Sequence, residues 1–497
     1  MRRRPSAWAV ASLCAAVGVA VAVFVYGRVI GLSYPEYSDF ALWFGDHPWY
    51  SSLPVSEILG GYFHSTLGWY RPTSFLLVPY LLHLDYFSPD QIMIANLIGL
   101  VGVASLAPLF VTARRLIPSL LGAVVIICAP ALYLIPYGSQ IDSLYILFSM
   151  GFVAAFMVLW RSGARGRLRI SLIAAGALSY LLAVTSKEIA VLAPALLVPV
   201  LLMLCPVPSW RAFRRALRWA APFLLASGVL YFLVGRGGGD VGPYSRGLGI
   251  GRLSHAPDLI AWALGFPWPA SGNANWIPDW PPWEVAVAGI SLGLVAIAAV
   301  LGARYLRWWR IGLYTATFCA LACLIALPGG LPHHTYPLVV MYGAAAAAAA
   351  GAAGARLGTH RSAAIAGVVF GLALLFAVTL NGRARFSDAL YRGPHTQFFV
   401  ASTELFYGSG LEEVASGENP LLIFQDCLGG LHNPLRYYAR SGRGSQIIVR
   451  SDAEVRALLP TARGAQALGR DVFVARCRSD PPPYYSIIHM RPKAYRR

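Results

Sequence analysis

Residues 7–30, AWAVASLCAAVGVAVAVFVYGRVI, come two residues after Met1-Arg2-Arg3-Arg4 and are apolar but for Arg28 and a few small polar residues. A cleavable signal has an apolar core of about 7–15 residues and a small-residue cleavage site. This run is longer and matches the ~20 residues that cross a bilayer. It reads as an uncleaved first span with its N-terminus in the cytoplasm. Runs of the same kind recur along the chain of 497 residues, which is 57% hydrophobic and only 12% charged. A soluble domain carries about 25% charged residues, so the composition excludes a single soluble globule and points to a polytopic membrane protein. The net charge of +18 raises nucleic acid as a partner. The arginines, however, stand in short blocks between apolar runs, as the positive-inside bias requires, and nucleic acid is set aside. Lysine occurs only at Lys187 and Lys493, which makes a lysine within the membrane region conspicuous.

Apolar length places about eleven transmembrane helices, near 7–31, 89–113, 119–136, 143–160, 170–185, 189–205, 216–234, 284–303, 311–327, 337–355 and 362–380. Arginine blocks such as Arg114-Arg115, Arg161 to Arg169, Arg211 to Arg218, Arg304 to Arg310 and Arg356/Arg361 mark the cytoplasmic ends. The loops expected outside are then 32–88 and 235–283. Pro72 to Leu84 is too short to span and reads as an interfacial helix. Every Asp or Glu before residue 381 falls on the side opposite the arginines, although only arginine set the orientation. Polar chemistry is thereby expected on the extracytoplasmic face. The alanine run Ala344 to Ala353 allows close helix packing.

Residues 1–381 thus form a transmembrane domain and residues 382–497 a small extracytoplasmic α/β domain. Strand-like runs at 421–424, 446–449 and 472–475 alternate with a helical piece that starts at Ser451-Asp452. Cys427 and Cys477 each end one of these strands in a compartment where disulfides persist; a bridge between them and two free thiols are both open readings. The other cysteines sit in apolar runs and read as packing residues.

Four polar clusters lie at the expected outer edge, where ionisable groups are costly unless used or paired. Glu36 and Asp39 open the first outer loop. A glycosyl transfer needs a carboxylate to take the acceptor's proton, but Asp39 also suits the cap of a helix starting at Phe40. Tyr70-Arg71-Pro72 offers a guanidinium, either for phosphate or for snorkelling to headgroups. Gly138-Ser139-Gln140-Ile141-Asp142 and Ser186-Lys187-Glu188 lie at neighbouring outer helix ends, where Lys187 binds an anion or pairs with Glu188 or Asp142. His333-His334-Thr335-Tyr336 suits phosphate contact better than a metal, because adjacent loop histidines are weak metal ligands.

In this order the pieces resemble the GT-C superfamily of polyprenyl-phosphate-sugar-dependent glycosyltransferases. More narrowly, they resemble the membrane part of the O-mannosyltransferases that often carry tetratricopeptide repeats. The Gly138 to Asp142 turn is similar to the family's Gly-Arg-Ser/Ala-Asp motif, Ser186-Lys187-Glu188 to its Ser-Lys-Glu motif, and His334 with Tyr336 to its His-Arg-x-x-Tyr pattern. The chain differs in having Ser38 beside Asp39 instead of a second acid, Gln140 where an arginine is expected, and an α/β tail in place of the repeats. The resemblance implies a GT-C-like fold and an inverting transfer of a sugar, with mannose one candidate, from a polyprenyl-phosphate carrier to an extracytoplasmic protein or glycan. It implies Asp39 as the base with Glu36 as its substitute. Arg71, Lys187, His334 and Tyr336 would bind the donor phosphate, supported by Asp142, Glu188 and His333. No metal site and no cofactor beyond the lipid-linked donor is assigned, and divalent metal dependence is open. Membrane lipids are further partners, and the location implied is the inner (plasma) membrane. Two rival readings are a transporter or flippase for a lipid-linked solute and a non-catalytic scaffold for envelope glycan assembly. Transporters place charge near the midplane, often within inverted repeats, and neither feature is evident.

Overall fold

The computed structural model describes residues 6–27, 73–77, 89–112, 115–132, 143–236, 249–266, 282–328, 332–357, 421–425, 445–449, 452–477 and 485–490, with single positions between them. Helix α1 is Ala7–Tyr26, and its first turn is capped by Ser6, whose Oγ accepts from the Ala9 amide at 3.1 Å. Helix α2, Pro89–Leu106, stops at Ala107–Pro108 and restarts as the single turn α3, Leu109–Thr112. Pro108 has no N–H to continue the ladder, which accounts for the break. Helix α4, Leu116–Ile127, is shorter than the expected 119–136 and gives way to a 3-10 turn at Pro130–Leu132. The cause is Pro130, since the residue before a proline is pushed out of the helical region.

Helices α5, Ser143–Ser162, and α6, Gly166–Val184, form a tight hairpin. Gly163 and Gly166 supply its positive-φ corners, at 58° and 55°, a region glycine enters without strain. A 3-10 segment, Glu188–Leu192, leads into α7, Ala193–Met203, and α8 runs over Trp210–Arg236. The loop expected at 235–283 contains a 3-10 turn, Ile250–His255, and helix α9, Ala256–Ala263. Helices α10, Pro282–Leu306, and α11, Trp308–Ala326, precede a 3-10 turn at Pro332–Thr335 and α12, Tyr336–Leu357. Among the described residues seven helices are long and apolar enough to cross a membrane. Helix α4 and the 3-10/α7 segment are shorter apolar helices, and α8 carries four arginines in its first half. The expected eleventh span, 362–380, lies outside the described residues, so the count of eleven is not established. The chain is a multi-pass membrane protein.

Small residues bring these helices together, as packing in lipid requires. A Cβ on Gly122 of α4 would stand 2.8 Å from the Gly343 carbonyl oxygen of α12 and 2.9 Å from the Ala347 Cβ. The alanine run of α12 thus packs closely on α4. Tyr26 ties α1 to α4 by donating its hydroxyl to the Ile127 carbonyl at 2.8 Å. A second core joins α5, α6 and α8 through the edge-to-face pairs Phe152–Phe223 and Tyr180–Phe223, at 5.0 and 5.6 Å. Inside it the Tyr180 and Ser227 hydroxyls meet at 2.6 Å.

The two ends of the bundle differ in chemistry. At one end arginines reach across to backbone carbonyls: Arg115 to Gly351, Arg307 to Pro206, Arg310 to Cys205 and Arg356 to Leu301. Cys205 and Pro206 lie just past the end of α7 and Leu301 and Gly351 in the last two turns of α10 and α12, where the helix dipole favours cations. Lys187, His334 and Tyr336 belong to the opposite end.

The C-terminal unit is a four-stranded sheet in the order β2-β1-β3-β4. Its strands are β1 Leu421–Gln425, β2 Ser445–Val449, β3 Val472–Cys477 and β4 Tyr485–Met490. β1 pairs in parallel with β2 and β3, and β3 antiparallel with β4. Helices α13, Asp452–Ala457, and α14, Leu459–Ala467, connect β2 to β3, and Ala462 and Ala465 of α14 bury against Leu421, Ile423, Val472 and Val474.

Candidate functional site

The segment Thr185-Ser186-Lys187 ends α6 and begins the next 3-10 turn, and the local backbone is held from within. The Thr185 hydroxyl donates to the Leu181 carbonyl and the Ser186 hydroxyl to the Leu182 carbonyl, each at 2.6 Å. The Lys187 amide donates to Ala183 at 3.1 Å, and the Lys187 carbonyl accepts from Ala190 at 3.0 Å. These bonds close α6 and turn the chain, and they aim Lys187 inward. Its residue exposure is 2%, and Nζ stands 5.8 Å from the centroid of the Tyr145 ring, within the range of a cation–π contact.

Tyr145 lies in the first turn of α5 and meets Tyr336, the first residue of α12, edge-to-face at 6.1 Å and 90°. Both tyrosines are buried, as are His334 and Thr335 in the turn just before α12. Tyr145 is therefore the link between two of the expected anion-binding pieces, Lys187 and Tyr336. The start of α5 is fixed by Ser143, whose hydroxyl donates to the Asn96 carbonyl of α2 at 3.3 Å. Gly99 leaves the space this approach needs, because a Cβ there would overlap the Ser143 side chain.

A third piece docks on the same segment. Residues Thr73–Leu77 form a π-helical turn. The Thr73 amide donates to the Thr185 carbonyl at 2.9 Å, and the Thr73 and Thr185 hydroxyls meet at 2.7 Å. Ser74 donates its hydroxyl to the Ser186 carbonyl at 2.6 Å. The stretch that follows Tyr70-Arg71-Pro72 is thus bonded to the two residues that precede Lys187.

From Tyr145 an apolar furrow of about 240 Å³ runs between α5, α7, α11 and α12. Tyr145, Ile189 and Pro337 line its end near Lys187, and Val111, Met203 and Leu204 line its far end. Ile189 and Leu204 are separated by roughly 20 Å of helix, about two-thirds of the ~30 Å hydrocarbon core. With the Lys187 ammonium 5.8 Å from the centroid of the Tyr145 ring that lines one end, the furrow suits an amphiphile with an anionic head.

Of the residues singled out from sequence, Asp39, Glu36, Arg71, Asp142 and Cys427 lie outside the described residues. Glu188 and His333 are placed by backbone only, Glu188 opening one 3-10 turn and His333 within the other, and Cys477 likewise as the last residue of β3. Sequence reasoning missed Tyr145, the Thr73/Ser74 latch and α9, whose Trp262 is 1% exposed and which packs against the Pro332–Thr335 turn and α12. Among the described residues no three His, Cys, Asp or Glu side chains gather as a metal-binding group.

No protein-family model matches the chain, and no curated protein sequence matches it. Among solved structures it is similar to the crystal structure of ArnT from Cupriavidus metallidurans in the apo state. The TM-score is 0.48 and the identity 12%, over 93% of this chain and 92% of that one.

Proposed function

We propose that the chain is an integral-membrane glycosyltransferase of the GT-C type that takes its sugar from a polyprenyl-phosphate carrier. The observation that carries this reading is the buried Lys187 ammonium, set against Tyr145 at the head of the apolar furrow. The carrier's phosphate sits by Lys187, and its isoprenoid tail descends the furrow. Arg71 joins Lys187 at the phosphate, a role supported by the Thr73 and Ser74 bonds to Thr185 and Ser186. His334 and Tyr336 border the site through the Tyr145–Tyr336 contact.

The reaction follows from this arrangement. Asp39, or Glu36 in its place, takes the proton of an acceptor hydroxyl. The freed oxygen bonds to the anomeric carbon as the bond from that carbon to the phosphate oxygen breaks, which inverts the configuration. The electron pair leaves with the lipid phosphate, and Lys187 and Arg71 neutralise the charge that grows there. Fixed cations aimed at developing charge are the largest single source of such catalysis. The end opposite the arginines is the extracytoplasmic one, in keeping with the positive-inside bias, and the host membrane is the inner membrane. The sugar is a hexose such as mannose, and the acceptor is a protein or envelope glycan.

The test is incubation of the purified full chain with a labelled polyprenyl-phosphate sugar and separation of the products. Transfer or slow hydrolysis that releases free polyprenyl phosphate supports the reading. A donor that crosses a vesicle membrane intact indicates a flippase, and an untouched donor indicates a scaffold; either result overturns it. Asp39→Asn should abolish turnover while insertion and yield stay normal.

A further inference from the structure

We propose that the α5–α6 turn and the first half of α8 form a binding face for the headgroups of anionic phospholipids, at the end of the bundle opposite Lys187. The arginines at that end fall into two sets. Arg115, Arg307, Arg310 and Arg356 donate to backbone carbonyls and serve the helix ends. Arg161, Arg165, Arg167 and Arg169 on the hairpin, and Arg211, Arg214 and Arg218 on α8, are exposed and make no hydrogen bond, ion pair or ring contact with any of the described residues.

The free set is contiguous. Trp160 of α5 and Trp219 of α8 pack edge-to-face at 5.2 Å. The Arg215 guanidinium sits in the corner between them, 4.7 Å from one ring and 4.8 Å from the other. This corner joins the hairpin arginines to those of α8. Arg211, Arg214, Arg215 and Arg218 fall at i, i+3, i+4 and i+7, which is one stripe of the helix. Between Ser143 and Arg236 the sole acidic residue is Glu188, which begins the turn after Lys187 at the other end. No counter-charge pairs with them among the described residues, and like charges gathered in this way repel one another, so a bound anion would stabilise the face.

A second stripe of α8 identifies which anion. Trp210, Phe213 and Leu217 lie beside the arginines. Trp210 stacks on Phe213 at 5.2 Å and is 67% exposed. The side that packs inward is a third one, with Ala216 and Ala220 fully buried. An exposed aromatic and aliphatic stripe beside an arginine stripe, at the end of a membrane span, fits acyl chains below and phosphates above. The guanidinium fork takes phosphate bidentately. A nucleic acid or an acidic peptide would use the arginines and leave the apolar stripe uncovered.

The experiment is native mass spectrometry of the full chain titrated with phosphatidylglycerol or phosphatidylcholine. The unchanged chain should bind phosphatidylglycerol in preference, and more weakly at high salt. The triple variant Arg211→Gln/Arg214→Gln/Arg218→Gln should bind it about 100-fold more weakly, at about a fivefold loss per arginine. Its phosphatidylcholine binding should not change. A matching Arg→Lys triple should retain the preference, and Arg456→Gln/Arg463→Gln, in α13 and α14 of the C-terminal unit, should have no effect. Equal binding of the two lipids, insensitivity to salt, or full affinity in the triple glutamine variant overturns the proposal. If that variant fails to insert, the salt arm on the unchanged chain decides alone. The outcome does not depend on whether the chain transfers sugar.

Discussion

Replacing Lys187 with methionine removes the ammonium and keeps the length of the side chain. Lys187 is 2% exposed and lies over the Tyr145 ring. Methionine has a similar length, and its sulfur makes favourable contact with an aromatic edge, so the space beside Tyr145 stays filled. The variant should still fold and insert, and its thermal midpoint reports what the ammonium contributes to the fold. The bond from an ammonium to a donor phosphate is another matter, because a hydrogen bond to a charged group contributes about 1.5–3 kcal/mol. Its loss lowers kcat/KM for the lipid-linked donor by about tenfold to ~150-fold. Lys187→Arg keeps the charge but forces a planar fork into a closed site, and overpacking of this kind costs about 1–3 kcal/mol. It should fail to restore the rate, whereas a lysine that acts only as a distant field would be replaced adequately by arginine. The assay is transfer of labelled sugar alongside the melting midpoint of each variant. Wild-type kcat/KM in Lys187→Met would refute the assignment. So would a loss of activity that tracks a collapse in stability, since Lys187 would then be a structural residue.

Two further predictions rest on packing. Thr73→Val/Ser74→Ala deletes the latch to Thr185 and Ser186, each neutral hydrogen bond contributing about 1 kcal/mol; it should raise KM for the donor while the bundle still melts as a unit, and an unchanged KM would separate this segment from the donor site. Gly343→Val places a branched side chain where Ile126 and the Gly122 carbonyl already touch, so the α4–α12 contact must part; a fall in stability of about 1–3 kcal/mol, measured by unfolding in detergent, is expected, and wild-type stability would show that α12 packs on α4 less closely than described.

Where the helices lie was legible in sequence because apolar length and arginine blocks are set by the bilayer itself. Where they end was less so. The apolar run beyond Cys128 continues past Pro130, so hydropathy extended α4, while the missing amide and the steric restriction before proline ended it. Helix α8 begins at Trp210, ahead of the expected 216, because its arginines were read as a loop block although they occupy one stripe of a continuing helix. Helix α9 is eight residues long, too short to register as a span, and its Trp262 is buried by packing that no local pattern reveals. In the C-terminal unit β1, β2 and β3 were visible as short, strand-like apolar runs. Strand β4 follows Pro481-Pro482-Pro483 and carries polar Ser486 and His489, which hid it. The charged member of the site, Lys187, stood out because the chain is otherwise almost devoid of lysine. Tyr145 did not, because a tyrosine one turn into an apolar helix has no local mark. Its role follows from three helices converging on it.

The two anion sites proposed at opposite ends differ in a way that salt exposes. The arginines of the α5–α6 turn and α8 are open to solvent, so counterions within a Debye length of ~8–10 Å screen them. They suit bulk lipids that exchange freely. Lys187 is buried over the Tyr145 ring, where screening is weak, and the proposed donor phosphate would be held there against the furrow. A bulk phospholipid has two acyl chains, whereas the furrow is one channel roughly 20 Å long, which favours a single isoprenoid tail. Raising ionic strength should therefore strip phosphatidylglycerol from the arginine face while leaving KM for the linked donor nearly constant. Parallel loss of both would mean that donor binding depends on the exposed arginines and that Lys187 does not provide the phosphate site.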